Sequence, residues 1–210
     1  MIWICAYREW ALEIYDQVKN EITCELITSK EQFNKINFNK NDVIFFIGWS
    51  WIIKNYIIKN NKCICLHPSP LPKYRGGSPI QHQIINGESI SAVTFFRMTD
   101  KLDAGSILYQ EYFSLKGNLK DIFSRIIPLG TAGIFHILNS NIKEQPQDEL
   151  QATFYKRRKP ENSEILIKDF KKYTAKEIHN KIRALQDPYP NAYIQCKDKK
   201  LFIKLSEYEK

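Results

Sequence analysis

Short apolar runs alternate with helix-like stretches over the first half of the chain, and this alternation limits the fold more than any other feature. Strands are predicted at residues 2–6, 22–28, 42–48, 63–66, 91–98 and 107–113. Helices are predicted at residues 9–19, at the start of 31–38, and at 52–58 and 78–86. This order predicts an α/β fold with a mostly parallel sheet and helices on both of its faces.

The pattern changes in the second half of the chain. A helix is predicted over residues 119–138, and Pro128, Gly130 and Gly133 are expected to kink or divide it. Residues 141–148 are typical of a linker. A capping box from Thr174 to Glu177 begins a helix that ends near residue 185, and a hairpin follows at 192–196 and 200–205. Residues 1–160 are therefore predicted as the main domain, and 161–210 as a small appendage with a helix and a β-hairpin.

The chain has a formal net charge of +8, with basic runs at residues 156–159 and 197–200. Such runs are typical of a solvated face, and they also suit an anionic substrate such as a nucleotide or a phosphate ester. The charge alone does not select nucleic acid, and no RNA-reading motif accompanies it. An RNA-binding module is therefore the weakest alternative.

The five cysteines include no C-x-x-C pair and no metal-binding spacing, so free thiols, a reducing compartment and no metal are expected. The start of the chain lacks the basic residues and long apolar run of a signal peptide. The apolar stretch at residues 43–53 is shorter than the roughly 20 residues that cross a bilayer. We therefore expect a cytoplasmic protein without membrane contact.

Two strand ends carry distinctive residues, and parallel sheets bind ligands beyond such ends. A Gly48-Trp49-Ser50-Trp51 run follows one strand, and His67 opens a loop with three prolines after another. Prolines restrict a loop, and histidine titrates near neutral pH, so His67 is a candidate catalytic base. A lone histidine is more often structural, and the candidacy therefore depends on this setting.

Two further segments could complete such a site. The loop with Asp100 and Asp103 follows the strand at 91–98, and Asp103 would orient the imidazole and stabilise its charged form if it lies beside His67. Lys73 and Arg75 precede a glycine pair and a helix start, whose free amide groups suit an anion. A plain strand-loop-helix junction would have the same pattern.

Residues 66–81, LHPSPLPKYRGGSPIQ, resemble the signature of folate-dependent formyltransferases. The segments NGE at 86–88, VT at 93–94 and LDAG at 102–105 follow at the family's spacing. The match is dense at residues 42–108 and weaker at 1–18, 155–160 and 183–193. The resemblance implies a Rossmann-like catalytic domain, a 10-formyltetrahydrofolate donor and an Asn–His–Asp catalytic set.

Within the implied set, His67 matches the histidine and Asp103 the aspartate, but Cys65 stands where the family has its asparagine. The asparagine amide donates to the oxyanion, and a thiol is a poor donor. Loss of one such donor typically costs about 10²–10³ in rate. Three alternatives stay open: His67 and backbone amides stabilise the oxyanion, Cys65 is a nucleophile, or the chain is a catalytically impaired binding homologue.

The resemblance also implies that the pterin of the donor lies against residues 48–53 and the loop before Asp103. The candidate cofactor-binding residues are then Trp49, Ser50, Trp51, Ile52 and Asp100. Indole rings would supply flat apolar walls, and ordinary core packing is the alternative role for both tryptophans.

The acceptor is predicted from the same resemblance. Residues 155–163, YKRRKPENS, are similar to an Arg-Arg-x-Pro stretch of sugar N-formyltransferases, and the tRNA enzymes have a larger C-terminal barrel than the part after residue 160. A nucleotide-linked amino deoxysugar is therefore the expected acceptor, with methionyl-tRNA as the alternative. A homodimer through the appendage is a further expectation. The sugar, the nucleotide and the position of the amine stay open. The candidate substrate-binding residues are Lys73, Tyr74, Arg75, Gly76, Gln81 and Arg157.

Overall fold

Six strands form the central sheet of the computed structural model, which describes residues 1–209. They are β1 (Ile2–Cys5), β2 (Glu25–Ile27), β3 (Val43–Ile47), β4 (Lys62–His67), β6 (Ile90–Arg97) and β7 (Ile107–Ser114). Their order in the sheet is β2-β1-β3-β4-β6-β7. The first four strands of this order pair in parallel, and β6 and β7 each pair antiparallel with the preceding strand. The predicted α/β class is confirmed.

Seven helices accompany the sheet in residues 1–209. They are α1 (Glu9–Val18), α2 (Lys30–Lys35), α3 (Asn55–Asn60), α4 (Pro79–Ile85), α5 (Leu119–Asn139), α6 (Asp169–Lys172) and α7 (Ala175–Arg183). Successive strand residues point to opposite faces, so Phe45 packs in a cluster with α1, α4 and α5, while Phe46 packs in a second cluster with α2 and α3. The two clusters place helices on both faces of the sheet, as predicted.

α5 is one continuous helix, and the division expected at Pro128 does not occur. By length and composition alone, α5 could cross a membrane. In the structure its apolar side contributes Ile122, Ile126 and Ile134 to the core, where the helix lies against α1 and β7. Burial against the rest of the fold accounts for its apolar composition.

The C-terminal segment forms a small cluster of its own. The capping box is present as predicted: Oγ1 of Thr174 accepts from the Glu177 amide, and the Glu177 carboxylate accepts from the Thr174 amide. Strands β9 (Ala192–Gln195) and β10 (Lys200–Ile203) form the predicted hairpin. Arg183 donates hydrogen bonds to the Leu115 and Gly117 carbonyl oxygens, which ties α7 to the end of β7.

Two local features differ from the sequence prediction. The helix expected at 52–58 begins at Asn55, so residues 48–54 form an irregular loop after β3. Two-residue strands, β5 (Arg75–Gly76) and β8 (Phe154–Tyr155), pair in parallel. Strands this short have no readable periodicity, so the sequence pattern did not predict the pair. Their pairing brings the segment after the linker against the loop that follows β4.

Candidate functional site

His67 ends β4 at the edge of the sheet where the parallel strands have their carboxyl ends. The loops after β1 and β3 leave the sheet at this edge, which is where parallel α/β sheets bind ligands. His67 is buried, with 6% of the residue exposed. It begins the segment 67–78, which we call the His67 loop.

The two ring nitrogens of His67 face different groups. Nε2 lies 2.8 Å from the backbone carbonyl oxygen of Tyr74, which can only accept a hydrogen bond, so Nε2 carries the proton of the neutral ring. Nδ1 lies 3.7 Å from Oδ2 of Asp103, which is too far for a hydrogen bond but close enough for an ion pair with a protonated ring. Nδ1 is therefore the nitrogen that can accept a proton.

This geometry corrects the orienting role that the sequence suggested for Asp103. The Tyr74 carbonyl orients the imidazole, and the Asp103 carboxylate acts on it through charge. Asp103 has a left-handed backbone with a φ of 49°, and its Oδ2 accepts a 2.8 Å hydrogen bond from the Gly76 amide. A carboxylate fixed at this place stabilises the positive charge that His67 acquires with a proton.

Two glycines bring another segment directly against the His67 loop. Gly76 has a φ of 101°, and a Cβ there would lie 2.2 Å from the Tyr155 carbonyl oxygen. A Cβ on Gly77 would lie 2.4 Å from Cα of Arg157. Since no real Cβ tolerates such contacts, larger residues would push residues 155–157 away from the site.

Three side chains outside the His67 loop hold carbonyl oxygens inside it. The bonds run from Thr94 Oγ1 to Ser69 (2.6 Å), from Gln110 Nε2 to Leu71 (3.1 Å) and from Gln83 Nε2 to Pro68 (2.9 Å). Gln110 Nε2 also donates to Thr94 Oγ1 at 2.8 Å, and Thr94 pairs with His67 across β4 and β6. Sequence reasoning missed Gln83 and Gln110 as supports. Thr94 belongs to the VT segment that the family resemblance includes, but the resemblance did not indicate this supporting role.

The side chain of Tyr74 was predicted to bind substrate, but it is 6% exposed and has partners within the protein. Its hydroxyl donates to Glu88 at 2.8 Å, and its ring stacks on Tyr155 with the centroids 4.8 Å apart. Burial, reinforced by the hydrogen bond to Glu88, raises the pKa of Tyr74 to about 12. Tyr74 therefore serves the site through its carbonyl, and its side chain anchors that carbonyl.

Arg75 was also predicted to bind substrate, and the structure contradicts this. Only 1% of the residue is exposed. Its guanidinium donates two hydrogen bonds to Oε1 of Gln147 and two to the carboxylate of Glu149, at 2.8–3.1 Å. The hydrogen bond from Arg75 holds the pKa of the Glu149 carboxyl below its ordinary value. With four of its five N–H groups engaged and no solvent contact, Arg75 cannot reach a diphosphate.

The other predicted substrate residues differ in how accessible they are. Lys73 is exposed and forms no ion pair within residues 1–209. Gln81 is buried beside Tyr189, with 3% of the residue exposed. Arg157 is exposed and reaches the loop after β3, where its Nη1 donates to Ser50 Oγ at 3.0 Å.

Cys65 lies two residues before His67 on β4, so both side chains point to the same face of the sheet. Its Sγ lies 3.6 Å from the carbonyl oxygen of Leu66. Burial, and in second place the charge of Asp103, raise the pKa of the Cys65 thiol well above its ordinary value. The thiol therefore stays protonated at neutral pH, which argues against the nucleophilic role, because the thiolate is the reactive form.

Residues 48–54, which we call the tryptophan loop, border a cavity of about 290 Å³. Three of the predicted cofactor residues line it, Trp49, Trp51 and Ile52, opposite residues of α2. Trp49 Nε1 is buried without a hydrogen-bond partner in the described part of the chain, so the indole has an unused donor. Flat indole walls and an unpaired donor fit a heterocycle such as a pterin.

Two predicted cofactor residues lie elsewhere. Ser50 does not line the cavity; its hydroxyl instead bonds to Tyr7, Arg8 and Arg157. Asp100 is exposed and is absent from the cavity lining as well. Sequence reasoning did not single out Tyr7 or Arg8, although both follow β1 at the edge of the sheet where ligands bind. No cluster of residues suited to a metal ion occurs in residues 1–209.

Two family profiles match the chain. One, described as "Formyl transferase", covers residues 17–120, and the other, "Formyl transferase, C-terminal domain", covers residues 159–210. A curated relative, the methionyl-tRNA formyltransferase of Wolbachia pipientis subsp. Culex pipiens, is 30% identical over 190 residues. The alignment covers 88% of this chain and 60% of the relative, so the chain spans about three fifths of that protein.

Two solved structures are similar to this chain in fold. The methionyl-tRNA formyltransferase from Clostridium thermocellum superposes with a TM-score of 0.86 at 28% identity, over 99% of this chain and 93% of the other. WlaRD, a sugar 3N-formyl transferase determined with dTDP and 5-N-formyl-THF, superposes with a TM-score of 0.68 at 22% identity, over 88% and 78% of the chains. At that identity the second likeness concerns the fold alone.

Proposed function

Because the chain belongs to the folate-dependent formyltransferase family, we propose that it transfers a formyl group from 10-formyltetrahydrofolate to the amine of a nucleotide-linked amino deoxysugar. One observation carries the proposal: a buried histidine presents Nδ1 beside a fixed carboxylate at the ligand-binding edge of the sheet. An amine that attacks a carbonyl carbon must lose a proton, and this pair of groups is suited to take it.

The donor would be held by the tryptophan loop. Trp49 and Trp51 supply the walls, and the unpaired Nε1 of Trp49 supplies a hydrogen-bond donor. When bound, 10-formyltetrahydrofolate supplies a carbonyl carbon attached to a nitrogen that can leave. The structure of WlaRD was determined with 5-N-formyl-THF, a formylated folate, which supports the same class of donor for this chain.

His67 is the proton carrier in this proposal. Nδ1 takes the proton that the acceptor amine loses, while Nε2 keeps its hydrogen bond to the Tyr74 carbonyl, so the ring need not turn during the transfer. The Asp103 carboxylate stabilises the charged ring. The same proton is then held at Nδ1 for the departing nitrogen, so no net proton is gained or lost by the protein.

Cys65 is a protonated bystander in this scheme. Its raised pKa leaves a weak thiol donor where the family has an amide, so positive charge on His67 and backbone amide groups carry the stabilisation of the oxyanion. We expect Cys65→Ser to retain activity. Loss of activity in this variant together with a covalent formyl adduct on wild-type Cys65 would replace direct transfer with a nucleophilic mechanism.

The second candidate acceptor is methionyl-tRNA, because the curated relatives at about this identity are methionyl-tRNA formyltransferases. For the sugar we rely on the basic segment at residues 156–159, which β8 brings beside the His67 loop, and on its similarity to the Arg-Arg-x-Pro stretch of sugar enzymes. A third candidate, a catalytically impaired binding homologue, rests on Cys65 alone.

A turnover assay separates the three candidates. Release of tetrahydrofolate would be followed with 10-formyltetrahydrofolate, a panel of nucleotide-linked 3-amino and 4-amino deoxysugars, and methionyl-tRNA. We expect turnover with at least one amino sugar, dependent on His67. Turnover on methionyl-tRNA but on none of the sugars would contradict the proposed acceptor. Donor binding without any turnover would indicate the impaired homologue.

A further inference from the structure

Two arginines from distant parts of the chain converge on a single hydroxyl group. Arg8 follows β1 and Arg157 follows β8, and their Nη2 and Nη1 atoms lie 3.3 and 3.0 Å from Oγ of Ser50. Tyr7 Oη lies 2.6 Å from the same oxygen. Because both guanidinium groups bond to one atom, two positive charges are held close together at the edge of the sheet where ligands bind.

Neither arginine of this pair has an acidic partner in the described part of the chain, in contrast to two buried or half-buried arginines elsewhere. Arg75 pairs with Glu149, and Arg97 pairs with Glu144. Within residues 1–209, neither Arg8 nor Arg157 forms an ion pair with a carboxylate. Two neighbouring guanidinium groups without a counter-charge repel each other, and an anion between them relieves the repulsion.

Aromatic rings pack against Arg8 and limit how it moves. The Arg8 guanidinium lies 5.1 Å from the ring centroid of Tyr7 and 5.6 Å from that of Tyr189. The ring centroids of Tyr7 and Trp51 are 4.6 Å apart. Burial raises the pKa of Tyr189, and the charges of Arg8 and Arg157 oppose this shift. A guanidinium group that already lies over aromatic rings, as that of Arg8 does, loses less conformational freedom when it binds an anion.

The pair is also connected to the catalytic groups. The backbone of Arg157 packs on Gly77, and the neighbouring amide of Gly76 bonds to Asp103. These contacts link the arginine pair, through two adjacent glycines, to the carboxylate that lies beside His67. The Arg8 Nε bond to the Gly48 carbonyl, at 3.2 Å, uses one donor and leaves others free.

We propose that Arg8 and Arg157, bridged by Ser50, form a subsite that binds the diphosphate of the acceptor. This inference rests on the proposed function, and it adds Arg8 and Ser50 to the acceptor site. Each guanidinium is a planar fork that matches two phosphoryl oxygens, and a diphosphate offers one phosphoryl group to each fork. Carboxylates on the donor share the anionic chemistry, so the test includes a donor probe.

The test compares three probes: inorganic pyrophosphate, a nucleoside diphosphate and 5-formyltetrahydrofolate. Binding to wild type, Arg8→Gln, Arg157→Gln and Ser50→Ala would be measured by calorimetry, with Lys199→Gln as the control for the loss of one surface charge. We expect each arginine variant to weaken nucleoside diphosphate and pyrophosphate about tenfold, and Ser50→Ala to weaken them less. The affinity for 5-formyltetrahydrofolate should stay unchanged in every variant. Lys199→Gln should bind all three probes with the affinity of wild type.

Three results would overturn the subsite. They are no binding of either phosphate probe to wild type, equal phosphate affinity in all variants, and a loss confined to 5-formyltetrahydrofolate, which would assign the arginines to the donor. Circular dichroism of each variant excludes misfolding as the cause of a loss, and Arg8→Lys, which keeps the charge without the fork, should regain part of the affinity. If phosphate binding depends on these arginines while no sugar is formylated, the proposed function fails and the subsite stands.

Discussion

The His67 loop and the tryptophan loop leave neighbouring parallel strands at the same edge of the sheet, and they are built in opposite ways. The His67 loop is held by side-chain hydrogen bonds to three of its carbonyl oxygens, and its Tyr74 and Arg75 side chains are buried. In the tryptophan loop, Ile52 is 95% exposed and Trp49 leaves its indole nitrogen unpaired. The first loop is complete as it stands, whereas the second has surfaces and a donor left for a ligand.

The contrast between the two loops separates residues that hold the site in shape from residues that are available to bind a ligand. An arginine such as Arg75, whose donors are satisfied inside the protein, fixes geometry. Arginines such as Arg8 and Arg157, whose charge has no acidic partner within residues 1–209, can serve a ligand. Changes in the His67 loop should therefore affect the rate of the chemical step or stability, and changes in the tryptophan loop should affect binding.

The largest effect is expected from removal of the base. His67→Ala should lower kcat by about 10²–10⁴, because Nδ1 is the group that takes the proton from the amine. Initial rates at saturating donor and acceptor measure the change, with unfolding curves as the check on structure. His136→Ala, on α5, is the matched control and should leave kcat unchanged. A His67→Ala variant with near wild-type kcat would remove the proposed mechanism.

Loss of the buried arginine should act on stability. Arg75→Leu leaves the Gln147 amide oxygen without its two donors, so we expect the free energy of unfolding to fall by about 1–3 kcal/mol. Urea unfolding measures it. Arg157→Gln removes the same kind of charge from an exposed position and should leave the unfolding curve in place. Equal unfolding curves for Arg75→Leu and wild type would contradict the contrast between the two kinds of arginine.

Removal of a side chain that holds the His67 loop should lower kcat, although that side chain is not assigned a contact with the substrate. Gln110→Leu removes the donor from the Leu71 carbonyl and from Thr94, and the resulting misplacement of the loop should lower kcat about tenfold. Tyr112→Phe is the control, because it removes only a 3.2 Å bond to the other end of the Gln110 amide. If both variants behave alike, the loop is not positioned through Gln110 Nε2.

The smallest effect is expected in the tryptophan loop. Trp51→Ala removes one wall of the cavity, which should raise the KM for the folate donor about three- to tenfold and leave kcat and the unfolding curve nearly unchanged. Tyr56→Ala alters an exposed aromatic residue of α3 outside the cavity lining and serves as the control. A fall in kcat with constant KM for the donor would place Trp51 in the rigid part of the site.

Sequence patterns predicted those parts of the structure that depend on residues close together in the chain. The apolar runs predicted the strands of the sheet. The run at residues 63–66 also predicted that His67 lies at the end of a strand, which is its position in β4. The role of Arg75 could not be predicted, because its partners Gln147 and Glu149 lie more than 70 positions away, at the end of a stretch typical of a linker and just after it. The convergence of Arg8 and Arg157 depends on the β5–β8 pair, whose two-residue strands carry no periodic signal.

The most direct test of the account concerns the proton on His67. Long-range ¹H–¹⁵N spectra of protein labelled in its four histidines report which ring nitrogen carries the proton, and loss of one signal set in His67→Ala assigns the residue. The account predicts a neutral ring protonated at Nε2, where the Tyr74 carbonyl accepts, with Nδ1 bare beside Asp103. A neutral His67 protonated at Nδ1 would contradict it, because the nitrogen that faces the carboxylate would then have no free lone pair to accept a proton.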